Sequence, residues 1–115
     1  MNHRSDFDLD LKFGELGEEL VRRILTGDVT VEVKTDRMVH LTGNFAIEFE
    51  SRGRPSGLSV TKADYWALVC ADTGTITLVK TDELRKLCSV QSVRIVLGGD
   101  NNSSRLYLLP RSSIR

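Results

Sequence analysis

Two stretches in the first half of the chain alternate strictly between apolar and polar residues. In "DVTVEVK", Val29, Val31 and Val33 alternate with Asp28, Thr30, Glu32 and Lys34. In "FAIEFES", Phe45, Ile47 and Phe49 alternate with Ala46, Glu48 and Glu50. A period of two predicts a strand with one apolar face. Ahead of them, "GELGEELVRRILTG" repeats with helical period. Leu16, Leu20, Val21, Ile24 and Leu25 fall on one stripe, and Gly27 is a natural stop. Gly17 sits in the middle of that stripe, where a bare backbone would permit close packing on a sheet.

The later elements follow from the same reading. "TDRMVHLTGN" is a connection with turn chemistry at Thr42-Gly43-Asn44, and "RGRPSGLS" is a basic loop. "TKADYWALVCA" predicts a second helix, with Thr61 and Asp64 in a capping-box-like spacing. "TITLVK" predicts a strand. "TDELRKLCSV" predicts a short helix capped by Thr81, with Asp82 and Glu83 suiting its positive end. "SVRIVL" and "RLYLLP" predict two strands around the polar loop "GGDNNSS". Residues 1–12 read as a polar arm. The order is α, β, β, α, β, α, β, β. It predicts one α/β or α+β domain over residues 13–115, a central mixed sheet flanked by helices.

If the first two strands pair as a hairpin centred near His40, Glu32 lies across from Glu48 and Lys34 across from Ala46. One face would then carry Glu32, Lys34, Glu48 and Glu50. Opposed like charges cost roughly 0.2–1 kcal/mol per pair. A divalent cation would turn that repulsion into ligation, since Mg²⁺ takes one or two carboxylates plus water and phosphate oxygens. The first helix adds Glu15, Glu18 and Glu19. Glu18 sits about 110° from the stripe centre, against about 150° for Glu19 and about 170° for Glu15, so Glu18 is best placed to reach a neighbouring strand.

Charge is segregated. Residues 1–50 carry 6 Lys/Arg against 11 Asp/Glu, and residues 51–115 carry 10 against 5, so the net charge of zero hides an acidic half and a basic half. That suits a metal site acting on a polyanion, although solvated surfaces would look the same. Cys70 and Cys88 lie in apolar patterns and read as buried thiols. Trp66 reads as core at helical spacing, and His3 and His40 as exposed polar residues. No run of about 18 apolar residues predicts a membrane span. The start "MNHRSDFDLDLK" lacks the apolar stretch of a signal peptide, so the expectation is an intracellular protein, in the host cytoplasm if viral.

The succession "GELGEELV", "VEVK", "AIEFES" and a helix after a basic loop resembles the PD-(D/E)XK nuclease superfamily, which includes restriction enzymes, Holliday-junction resolvases and small phage endonuclease-like proteins. The closing "GDNNSSRLYLLP" is similar to the last hairpin of small phage members. The resemblance covers residues 12–110. It implies a restriction-endonuclease-like fold and Mg²⁺- or Mn²⁺-dependent hydrolysis of DNA phosphodiesters, on phage or branched DNA; a core of 115 residues is small for gripping a duplex, so a homodimer is one expected arrangement. It maps Glu32 as the first acid, Glu48 as the second and Glu18 as the helix acid, with Glu32 and Glu48 holding metal. Glu50 stands where the family has lysine, and Lys34 would supply that ammonium from the adjacent strand. A literal mapping would use Asp28 with Glu32-Val33-Lys34 instead. Arg52, Arg54 and Lys62 would hold DNA phosphates. The alternative is a module that keeps the fold without catalysis and binds nucleic acid or a protein partner.

Overall fold

The structure, a computed structural model, describes residues 17–114. The polar arm, Glu15 and Leu16 lie outside the described residues. The chain forms two compact units, Met1–Thr30 and Val31–Arg115.

In the first unit, residues 17–25 are helical (α1). Leu20 and Ile24 are half-buried, while Val21 and Leu25 are exposed. Gly17 is exposed with open space where a Cβ would stand, so the expected close packing does not occur. The helix stops at Gly27, whose φ of +81° lets Asp28 N–H turn back to Arg23 O at 2.8 Å. Asp28 lies in this turn and not on a strand.

The second unit is α+β and holds two sheets. Strands β1 (Val31–Asp36), β4 (Tyr65–Cys70) and β5 (Thr75–Lys80) form a mixed sheet in the order β1-β4-β5. Strands β2 (Asn44–Ser51), β3 (Arg54–Pro55), β6 (Arg94–Gly98) and β7 (Ser104–Pro110) form an antiparallel sheet in the order β3-β2-β7-β6. A one-turn helix α2 (Val39–Thr42) links β1 to β2, and α3 (Thr81–Cys88) follows β5. Short 3₁₀ turns lie at Gly57–Ser59, Asp100–Asn102 and Arg111–Ser113. One apolar core draws Phe45, Ile47 and Leu109 from the antiparallel sheet and Trp66, Leu68 and Val79 from the mixed one. Helix α3 adds Leu84 and Cys88, four residues apart on one face. Both cysteines are buried and free. No helix among the described residues is long and apolar enough to cross a membrane.

Three expectations need correction. "TKADYWALVCA" is not a helix; its centre is β4. "YWALVC" is a continuous apolar run because β4 is the middle strand of its sheet, with Trp66, Ala67 and Leu68 buried in succession. Thr61 caps no helix: its Oγ1 accepts Ala63 N–H at 3.2 Å in a local turn. Thr81 opens α3 but sends its hydroxyl to Ala63 O, tying the helix start to the loop before β4.

The second correction concerns the hairpin. Strand β1 pairs with β4, in parallel, and β2 pairs with β7. Glu32 is opposite Trp66 and Lys34 opposite Leu68, not Glu48 and Ala46.

The third concerns Glu50. Glu48 is opposite Leu106, but Glu50 is opposite Arg105, so Phe49 is an extra residue in a β-bulge. Adjacent residues of β7 point to opposite faces, and so do the two glutamates paired with them. Glu50 therefore leaves the face that Glu48 occupies and meets Arg105 at 3.6 Å. Phe49 stacks on Tyr107 with ring centroids 4.1 Å apart, under the Arg105 guanidinium.

Candidate functional site

The charged side of β1 lies on the sheet face that carries the core, with Glu32 exposed at its start and Lys34 and Asp36 half-buried. Glu32, Lys34 and Asp36 share a face with Trp66, Leu68 and Cys70, all three buried. Val33, on the opposite face, is 61% exposed. A strand whose valine is turned to solvent while its acid and lysine lie on the core side has an inverted pattern, and inverted patterns concentrate where function overrides packing.

Glu32 and Lys34 line a cavity of about 350 Å³. Glu48 lines the same cavity, although it arrives from the other sheet. Val33, Gly57, Val60, Thr61 and Trp66 supply further wall. The three charged residues that the sequence grouped on one hairpin face are thus gathered by a different route. Neither the Glu32 carboxylate nor the Lys34 ammonium has an ion-pair or hydrogen-bond partner among the described residues. Glu50 does not line this cavity.

Glu48 is fixed from below by the loop after β3. Ser56 donates its hydroxyl to Glu48 Oε2 at 2.9 Å, and the other carboxylate oxygen has no hydrogen bond among the described residues. Gly57 comes so close to β2 that a Cβ there would lie 2.2 Å from Glu48 O, at a φ of +48°. Only glycine permits that approach. Ser59 Oγ and Ser56 N–H both donate to Phe49 O, at 2.7 and 3.1 Å. Arg85 of α3 holds the far side of the same loop, donating from Nε to Leu58 O and from Nη2 to Thr61 O.

Asp36 ties the two sheets at the other end of β1. Its carboxylate accepts Met38 N–H at 2.8 Å and Ala46 N–H at 3.1 Å. The sequence reading passed over Asp36; the signal was its place on the same parity as Glu32 and Lys34.

Trp66 was also missed as a site residue. It is 4% exposed, and its indole Nε1–H has no hydrogen-bond partner among the described residues. An orphaned buried donor costs about 1–3 kcal/mol.

The remaining candidates lie elsewhere. Glu18 is exposed on α1 in the first unit. Arg52, Arg54 and Lys62 are exposed before and after the Gly57–Ser59 turn, with no ion pair among the described residues. His40 is 3.8 Å from Asp72 and belongs to no cavity described above.

No cluster of three or more His, Cys, Asp or Glu side chains placed to hold a metal occurs among the described residues. The cavity offers two carboxylates and no imidazole or thiolate. That donor set suits a hard cation such as Mg²⁺ or Mn²⁺, which completes its shell with water and ligand oxygens, and does not suit zinc. No family model matches the chain, and neither does any curated protein or solved structure.

Proposed function

We propose that the protein is a small divalent-metal-dependent DNA endonuclease with a restriction-endonuclease-like fold. The observation that carries this reading is the cavity on which Glu32, Lys34 and Glu48 converge from two sheets. Glu32 and Glu48 would hold the cation, with Glu48 steadied by Ser56. A bound Mg²⁺ or Mn²⁺ would acidify a water and offset charge building on the phosphate. Lys34, which lines the same cavity and has no ion pair among the described residues, would orient the attacking water or donate to a phosphate oxygen. Arg52, Arg54 and Lys62 would hold flanking DNA phosphates without reading sequence. This chemistry does not require Glu18. Two copies of the chain would bring two such sites to two strands.

The second reading is a nuclease-fold module that binds nucleic acid or protein without cleaving it. It is favoured by the Phe49 bulge, which sends residue 50 off the face of Glu48, where the family pattern needs a lysine.

Melting temperature as a function of Mn²⁺ tests the site, because a ligand that binds only the folded state raises it. Wild type should shift at millimolar Mn²⁺, and Glu32→Gln and Glu48→Gln should not. No shift in wild type would remove the metal site. Nicking of plasmid and branched DNA then separates the two readings: cleavage lost in Lys34→Ala supports the enzyme, and binding without cleavage in wild type supports the module.

A further inference from the structure

We propose that the free edge of β6 is a homodimer interface, where the strand pairs antiparallel with β6 of a second copy around a twofold axis at Val96. The interface stands independently of the nuclease reading and gives two copies of the chain a defined place to meet. Among the described residues four strand edges are open: β1 and β5 in the mixed sheet, β3 and β6 in the antiparallel one. An open edge is a template for another strand, and folds guard it with charge, with proline, by keeping it short or by covering it. Strand β3 is only an arginine and a proline. Strand β1 carries Glu32, Lys34 and Asp36. Beside β5, the chain's own Leu87, Ser113 and Ile114 line a cavity together with Leu78, Val79 and Lys80. Strand β6, "RIVLG", has a charge only at its first residue and no proline, and no described strand bonds its free side.

The side chains of β6 show a core cut short. Ile47, Tyr107 and Ile95 lie in one row across β2, β7 and β6. Ile47 is fully buried, Tyr107 half-buried and Ile95 49% exposed. Leu97, two residues on along the same face, is 62% exposed. Burial fades toward the edge while these side chains stay apolar. A twofold axis at Val96 sets Ile95 opposite the partner's Leu97 and Val96 opposite the partner's Val96, and every pair keeps its face of the sheet. Arg94 falls opposite the partner's Gly98, so no like charges are opposed. Asp100 follows two residues after Gly98, so each Arg94 comes to the end of the pairing where the partner's Asp100 lies. Both residues are exposed, and neither has an ion pair among the described residues. The strand is thus complementary to itself in hydropathy and in charge, which makes a second copy the occupant it fits. It offers five residues a side. A standard interface uses about 20–30 a side, so the expected dimer is weak, with a Kd on the order of 10–100 µM.

Sedimentation equilibrium of the full chain, without metal or DNA, tests this between about 5 and 500 µM, a range that brackets that Kd. Wild type should show a monomer–dimer equilibrium. Two variants address the register. Ile95→Lys/Leu97→Lys opposes lysine to lysine twice, and Ile95→Glu/Leu97→Glu opposes glutamate to glutamate twice. Each alone should dimerise about tenfold more weakly or worse, and an equimolar mixture of the two should associate again. If either double variant fails to fold, Leu97→Lys alone, at the more exposed position, should weaken dimerisation in the same direction. A wild type that stays monomeric to the top of the range overturns the proposal; if the lysine variant also melts lower, the chain itself covers the strand. Dimers that neither variant weakens form on another surface and overturn it too. So do species larger than the dimer, since a twofold pairing closes on itself. Folded variants that stay apart when mixed overturn the register and with it the proposal. None of these results bears on the Mn²⁺-dependent melting that tests the metal site.

Discussion

The Asp36 carboxylate accepts the Ala46 amide across 3.1 Å, joining the last residue of one sheet's edge strand to the third residue of a strand in the other sheet. The same carboxylate accepts Met38 N–H, so one side chain both starts the α2 connection and aligns its two ends. Asp36→Ala should leave both amides without this acceptor and cost about 1–3 kcal/mol, read by urea unfolding. Asp36→Asn, which keeps one acceptor, should lose roughly half as much. An alanine variant within 0.5 kcal/mol of wild type, roughly the spread of neutral surface changes, would show that the link stabilises nothing.

Gly57 is the tightest glycine contact in the site. Alanine there combines a left-handed backbone with a methyl 2.2 Å from Glu48 O. We expect a loss of roughly 3 kcal/mol or more. Gly74→Ala is the control, at a φ of +73° but with open space, and should lose only about 1 kcal/mol. Equal losses at the two positions would mean that the loop yields and the close approach is unimportant.

Glu50→Lys puts a lysine where the PD-(D/E)XK pattern that the sequence resembles has one. The bulge predicts that it restores no chemistry. The new ammonium would face Arg105, whose guanidinium now pairs with Glu50 at 3.6 Å. Stability should fall by up to about 1 kcal/mol, as for a half-exposed pair turned repulsive. DNA cleavage should not rise. A gain in cleavage would place residue 50 at the cavity after all.

Cys88 gives the pH dependence a clear sign. Burial pushes its thiol up to about 12 from an ordinary value of 9.0. Between these values the unfolded chain has lost the proton and the native one has kept it. Stability from this group is therefore intact below pH 9 and falls as pH rises toward 12, by on the order of 1 kcal/mol per pH unit. Cys88→Ala should lower stability at pH 7 through the lost packing, yet flatten the decline above pH 9. Unfolding midpoints at pH 8, 9 and 10 for both proteins measure the difference.

Alternation alone located β1 and β2, and residue type alone marked Glu32, Lys34 and Glu48. Their partners were not legible. The pairing of β1 with β4 spans more than thirty residues and leaves no local mark, whereas a hairpin is the shortest route between successive strands. "YWALVC" could be strand or helix by periodicity, and the Thr61–Asp64 spacing tipped the reading the wrong way. The Phe49 bulge carries no glycine or proline to announce it. Its effect is one of parity, so the sequence pattern that correctly put Glu48 on the cavity side put Glu50 there too. Trp66 looked like core and is core; that its N–H lacks a partner is a property of the assembled wall.

Strand β1 is bonded on one side only, to β4, and it carries two of the cavity's three charges. Its side chains are therefore set by phase. Sliding β1 by a single residue along β4 would turn every one of them over, moving Glu32 and Lys34 off the face they share with Trp66 and Leu68 and putting Val31, Val33 and Thr35 there. The composition would be unchanged and the hydrogen-bond ladder nearly so, but the chamber would change from a polar one to a greasy one. What Asp36 holds shut at the strand's end is thus a lock on reading frame, with the chemistry of the chamber as its content.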